Sequence, residues 1–354
     1  MQGLLFRCDF GGPTGWGHLV RCSALAQVAR SRGFITGLVT RSSVNGLPEE
    51  LRSGFSHCWE GSPVFPGASF WKACLVEGVS WSAIVVDSYA YGTSDLDALN
   101  DIFAGKVPLL VHIHDDPEYL YPEAGLTVCP GFPGEYISSK LVFKGTLCAG
   151  LEYLLLRAAF STKVSIRGRR DSLPRVAVVI GGTDPNVLTP SILKALYSST
   201  QGACIPYVVI PEGLSRDALQ PHAESFESCC FFEHLSSIAM ADCFASCDYG
   251  VTACGGTVYE MASMDLPFIG VSVASNQYFT AKAIQTHWSL PVLDADVFSE
   301  GSFADAWKVL VKAFPEGRRP YASIDGQGAM RLVDILSSLL KTPRLHQPST
   351  GLQS

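Results

Sequence analysis

Short runs of consecutive apolar residues recur along this chain, each followed by a longer stretch in which apolar and polar positions mix. "GLLFRC" (3–8), "ITGLVT" (35–40), "AIVVD" (83–87) and "VPLLVHI" (107–113) are too short for helices and rich in branched side chains, so they predict buried strands. The small and apolar residues of 19–32 predict a helix between the first two. That alternation predicts an α/β domain with a mainly parallel sheet. The polar, basic stretch "STKVSIRGRRDSLP" (161–174) ends in proline and reads as a linker. After it the pattern restarts: "RVAVVIGGTDPN" (175–186) is a strand running into a glycine turn. "IPYVVI" (205–210), "CCFF" (229–232), "YGVTAC" (249–254) and "PFIGVSV" (267–273) continue the series. Each half therefore carries the pattern of a doubly wound sheet, and two such α/β domains are expected to face a central cleft.

The expected division is 1–162, 174–325, a helical segment 326–340 and a flexible tail 341–354. Within "GAMRLVDILSSLL" (328–340), Met330, Val333, Leu336 and Leu340 fall on one helical face. The tail has two prolines and no period.

Composition narrows the picture. A chain of 354 residues suggests about two domains. It is 47% hydrophobic and 17% charged, with mean hydropathy +0.21, which suits substantial cores and excludes a disordered chain. A net charge of −7 offers no basic stripe, so no nucleic-acid partner is expected. Twelve cysteines at first suggest disulfides, but Cys8, Cys129, Cys204, Cys229, Cys230 and Cys254 lie in or beside strand-like runs, where thiols act as small hydrophobes. With no C-x-x-C pair and no cleavable leader pattern, a reducing cytoplasm is the expected location. No apolar run approaches the roughly 20 residues of a membrane span, so no membrane partner is expected. A monomer is expected.

Candidate chemistry gathers at strand ends. In "GVTACGGTVYEMA" (250–262), Gly255, Gly256 and Thr257 can aim N–H groups and a helix dipole at an anion such as a diphosphate. Glu260, one turn on, can accept from ribose hydroxyls or simply face solvent. Asn276 and Gln277 of "SNQYFTAKAI" (275–284) can cap a helix or reach a sugar or phosphate. Thr183 and Asp184 can cap a helix or line the cleft. In "GGPTGWGHLVRC" (11–22), Gly15 and Gly17 allow close approach of a ligand. Imidazole is the side chain suited by type to proton transfer at physiological pH, so His18 is a candidate general base, with a helix-cap or core role as the alternative. Arg21 can pair with a carboxylate or phosphate. Asp87, Tyr89 and Tyr91 occupy another strand end. His112, His114, Asp115 and Asp116 suggest a metal, but no further ligand cluster accompanies them and no metal is expected.

Seven segments occur in an order that resembles one family: "RCDFGGPTGWGHLVRCSALA", "VVDSY", "GLEYLLLRAAF", "IGGTDPN", "GGTVYEMA", "SNQYFTAKAI" and "DGQGAMRLV". It is that of the nucleotide-sugar hydrolases of pseudaminic acid biosynthesis, whose order is shared by related spore-coat polysaccharide proteins. The resemblance covers residues 3–335. It implies the glycosyltransferase-B fold, which is also that of the lipid II N-acetylglucosaminyltransferase: two Rossmann-like domains, with the C-terminal helix returning to the first. It further implies hydrolysis of a UDP-linked diacetamido-trideoxyhexose to UDP and free sugar, without metal or cofactor. His18 would then activate the water and invert the anomeric carbon. Gly255, Gly256, Thr257, Glu260, Asn276 and Gln277 would hold the nucleotide, and Asp9, Tyr89, Tyr153 and Arg157 would line the sugar site. Where the family usually has an asparagine after a strand, this chain has Cys129, Pro130 and Gly131, in a loop expected near the sugar. A transferase using the same donor, or a non-catalytic nucleotide-sugar binder, would share these motifs.

Overall fold

The computed structural model describes residues 1–61, 74–89, 103, 108–115, 124–138, 145–161, 173–184, 186–317 and 324–341. Most of the expected linker, the tail beyond residue 341, Tyr91 and Asp116 lie outside the described residues.

Seven strands form the first sheet: β1 (Gln2–Cys8), β2 (Ile35–Thr40), β3 (His57–Glu60), β4 (Ser80–Asp87), β5 (Leu109–Ile113), β6 (Leu126–Pro130) and β7 (Thr146–Gly150). Six form the second: β8 (Arg175–Val179), β9 (Ile205–Val209), β10 (Cys230–Phe232), β11 (Tyr249–Ala253), β12 (Phe268–Ser272) and β13 (Val292–Asp294). Every pairing between these strands is parallel. The orders are β3-β2-β1-β4-β5-β6-β7 and β10-β9-β8-β11-β12-β13. Both contain the doubly wound order 3-2-1-4-5-6, in which the chain changes direction between its first and fourth strands. Central strands such as β1, β4 and β11 are buried along nearly their whole length. Parallel strands are covered on both faces, so their sequences read as continuous apolar runs rather than alternating ones. The edge strand β3, "HCWE", is half-exposed and carries no such run, which is why the pattern passes over it.

The described helices are α1 (Gly17–Ser31), α2 (Glu49–Arg52), α3 (Phe132–Ser138), α4 (Leu188–Thr200), α5 (Arg216–Ala223), α6 (Ser237–Ser246), α7 (Thr257–Ser263), α8 (Tyr278–Ala283), α9 (Glu300–Ala313) and α10 (Gly328–Lys341). α10 packs on α1, and its Ala329, Leu332, Val333 and Leu336 join the apolar core of the first sheet. Its buried face differs from the expected one, because Met330 is 40% exposed while Ala329 and Leu332 are buried. Gly328 begins α10 against the backbone of residues 153–154: a Cβ there would stand 2.2 Å from the Leu154 carbonyl oxygen. In return, Phe132, Leu154, Leu156 and Phe160 from the first half enter the core of the second.

Candidate active site

β1 ends at Cys8, and the glycine loop that follows folds back on itself. Gly11 N donates to Gly15 O at 2.8 Å. Gly11, Gly12 and Gly15 have φ of 79°, 51° and 70°, a region that residues with a Cβ avoid. The loop delivers the chain to α1, whose second residue is His18. No side chain caps α1. The helix-cap alternative for His18 is therefore absent, and its ring is buried at 7% exposure.

The ring meets the end of β4. His18 Nδ1 lies 2.5 Å from Asp87 Oδ1, and Asp87 is fully buried. Burial alone would raise the Asp87 carboxyl pKa, but Arg21 and His18 hold it well below the usual carboxylate range. An ionised carboxylate only accepts, so Nδ1 carries the proton and donates it to Asp87. This tautomer leaves Nε2 with its lone pair and no protein partner among the described residues. Tyr89 packs edge-on against the imidazole, with ring centroids 4.9 Å apart. Its hydroxyl donates to Asp115 Oδ1 at 2.8 Å and accepts from Asn276 Nδ2 at 3.4 Å. Asp87 and Asp115 escaped prediction as the groups that hold His18 and its neighbours. The signal was their place at the ends of β4 and β5, where ligands of doubly wound sheets bind.

Four expected substrate-binding residues have other contacts. Arg21 is committed to two carboxylates: Nε and Nη2 donate to Asp87 at 2.5 and 2.6 Å, and Nη1 to Asp115 at 2.6 Å. The Asp9 carboxylate receives both Arg7 Nη atoms, Arg41 N, Nε and Nη2, and Ser88 Oγ. Six donors exceed its four lone pairs, so none remains for a sugar. Burial would raise the Asp9 pKa, but the two arginines bring it down to about 2. Asp184 caps α4, accepting from Leu188 N, Thr189 N and Thr189 Oγ1 at 2.7–2.9 Å. Tyr153 packs on the first core, with its hydroxyl facing Cys148 and Glu152 rather than the His18 group.

The second sheet places its own switch point opposite. β8 leads into the turn at Gly181–Asp184, where Thr183 pairs as an isolated bridge with Glu212. Trp16, the residue before α1, crosses to this turn. Its Nε1 donates to Glu212 Oε2 at 3.0 Å, and a Cβ on Gly182 would stand 2.9 Å from its ring. β11 leads into Gly255 and Gly256, then α7. No described residue accepts from the N–H of Gly255, Gly256 or Thr257, and Gly256 is exposed. Gln277 Oε1 accepts from Val273 N at 3.0 Å, so this amide braces its turn, with Nε2 3.8 Å from where a Gly255 Cβ would lie. Asn276 is exposed and caps no helix. Glu260 is buried and faces Arg157 of the first half, Nε to Oε1 and Nη2 to Oε2, both 2.9 Å. Gly17 is exposed at the start of α1. Gly131 and Phe132 abut the second half, where Phe132 N donates to Tyr259 Oη at 3.1 Å.

Among the described residues no group of three or more His, Cys, Asp or Glu side chains is arranged to hold a metal ion. His112 and His114 instead stack ring on ring with centroids 4.9 Å apart, and burial pushes the pKa of each down to about 4. All twelve cysteines are thiols, nine of them buried. No described helix is long and apolar enough to cross a membrane.

No family model matches the chain. It is 22% identical over 355 residues to the spore coat polysaccharide biosynthesis protein SpsG of Bacillus subtilis, covering 94% of this chain and 96% of that protein. The solved structure of Acinetobacter baumannii MurG matches with a TM-score of 0.62 at 11% identity, over 95% of this chain and 99% of that one. A co-structure of S. aureus MnaA with UDP matches with a TM-score of 0.63 at 12% identity, over 96% and 97%. The chain thus has the glycosyltransferase-B fold and is similar to SpsG along nearly its whole length.

Proposed function

We propose that this protein is a UDP-sugar hydrolase, which cleaves the anomeric C–O bond of a UDP-linked diacetamido-trideoxyhexose to release UDP and free sugar. The carrying observation is the His18 Nδ1–Asp87 contact of 2.5 Å, which leaves Nε2 as a base at the switch point of the first sheet. Likeness to SpsG and the motif order of the pseudaminic acid hydrolases support the substrate class.

In this scheme the nucleotide lies on the second half. The open N–H groups of Gly255, Gly256 and Thr257 receive the diphosphate and stabilise the charge that grows on the bridging oxygen. Glu260 keeps Arg157, and its remaining lone pairs accept from ribose hydroxyls. Asn276, exposed and already at Tyr89 Oη, reaches the substrate from the same side. His18 Nε2 takes a proton from water as its oxygen attacks the anomeric carbon opposite the departing UDP. The C–O bond to phosphate breaks and the centre inverts. Asp87 stabilises the imidazolium that forms.

Incubation with a panel of UDP-sugars, with and without acceptors, tests this reading. Free sugar and UDP in equal amounts without acceptor, undiminished by EDTA, is the expected result. Turnover that requires an acceptor would make the protein a transferase, and binding without turnover would make it a carrier of nucleotide sugars.

A further inference from the structure

The hydrogen bonds beneath His18 continue past Asp87. His18 Nδ1 and Arg21 Nη2 share Asp87 Oδ1 at 2.5 and 2.6 Å, while Arg21 Nε takes Oδ2 at 2.5 Å. Arg21 Nη1 donates to Asp115 Oδ2 at 2.6 Å, and Asp115 Oδ1 accepts from Tyr89. The guanidinium lies one turn beyond His18 on α1 and is gripped by carboxylates from the ends of two neighbouring strands, β4 and β5. Its side chain is 15% exposed.

Two consequences follow from this arrangement. A carboxylate held by a planar guanidinium fork cannot swing, so the oxygen offered to Nδ1 is fixed, and with it the direction of Nε2. The positive charge of Arg21 opposes a proton on the ring, whereas the negative charge of Asp115 favours one. We infer that Arg21, held by Asp115, is the positioning residue of the His18–Asp87 pair: it fixes Asp87 beneath the imidazole and balances its charge. The kinetic consequence rests on the hydrolase reading, but the consequence for ring titration does not.

Among the described residues, the charged and titratable groups facing the pair are Arg21 and Cys22 from α1, Tyr89 after β4, His112 on β5, and His114 and Asp115 just beyond it. Burial raises the pKa of the Cys22 thiol and the Tyr89 phenol and pushes His112 and His114 down to about 4. Those four therefore stay uncharged between roughly pH 5 and 8, leaving Arg21 and the two carboxylates to set the balance.

The experiment compares wild type with Arg21→Gln, Arg21→Lys and Asp115→Asn. It reads the NMR titration of the His18 ring, the pH profile of kcat/KM on a UDP-sugar, and UDP affinity by calorimetry. In R21Q the ring midpoint and the acidic limb of the profile should rise by about one pH unit, and kcat should fall about tenfold or more. In D115N both should move down. R21K should restore the midpoint but not kcat, since an ammonium keeps the charge without the fork. UDP affinity should be unchanged in all three. Unshifted titrations, or a loss of UDP binding in R21Q, would overturn the inference. If R21Q does not fold, the near-isosteric D115N decides by the sign of its shift. A wild-type protein that hydrolyses no nucleotide sugar would instead sink the hydrolase reading, and the titrations would still judge Arg21.

Discussion

Arg157 and Glu260, one from each half of the chain, meet through two parallel charge-assisted hydrogen bonds of 2.9 Å. Arg157 also lies over the Phe160 ring, 5.2 Å from its centroid. Its side chain is 16% exposed and that of Glu260 8%. Removing either partner strands a buried charge, at a cost of about 3–5 kcal/mol. Arg157→Ala should therefore lower stability by that amount in urea denaturation. Arg157→Met combined with Glu260→Gln should recover most of it. A loss below about 1 kcal/mol in the single variant would mean the pair is solvated like a surface bridge.

His18 and Asp87 should behave as one unit. Asp87→Asn offers Nδ1 an amide in place of a carboxylate and frees the ring to adopt the wrong tautomer. It should lower kcat by about 10²–10⁴-fold, as should His18→Ala, and the double variant should be little worse than either. UDP affinity by calorimetry should be unchanged in all three. Additive losses would show that Asp87 acts independently of the imidazole.

The stacked His112 and His114 make stability sensitive to acid. Each has a folded-state pKa of about 4, below its ordinary value of 6.5. Between these values the unfolded chain binds more protons, so stability falls as pH drops from about 6.5 towards 4, by on the order of 1–2 kcal/mol per ring at pH 5. Asp9 acts in a lower window: its pKa of about 2 adds stability above its ordinary value that is lost as pH falls through 2. Melting temperature measured from pH 7 to 4.5 should slope downward, and His112→Phe with His114→Phe should flatten that slope. An unchanged slope would assign the acid sensitivity to other groups.

Asp184 separates a helix cap from a sugar ligand. Asp184→Ala removes the cap of α4 and should cost about 1–2 kcal/mol in thermal unfolding. kcat/KM per folded molecule should stay at the wild-type level. A specific rise in KM would return Asp184 to the substrate site.

Much of this organisation was legible in order along the chain. Parallel strands covered on both faces are mostly apolar, with Arg7 and Asp87 as paired exceptions near the strand ends, so "GLLFRC", "AIVVD" and "YGVTAC" announced β1, β4 and β11. The glycine turns after them announced the loops at the strand ends, and His18 stood out against those glycines. Short or half-exposed strands such as β3 and β13 were silent, because an edge strand needs no continuous apolar run.

Local propensity and burial over a few neighbouring residues set the central strands of both sheets, their strand-end turns and the helix that carries His18. Which side chains hold one another depends instead on packing between distant parts of the chain. His18 finds Asp87 69 residues away, and Arg157 finds Glu260 103 residues away. Arg21, Asp9 and Asp184 look in sequence like groups free to bind a ligand. Folding gives them protein partners instead, because a buried charge must be paired or hydrogen-bonded: Arg21 takes Asp87 and Asp115, Asp9 takes Arg7 and Arg41, and Asp184 takes the first N–H groups of α4.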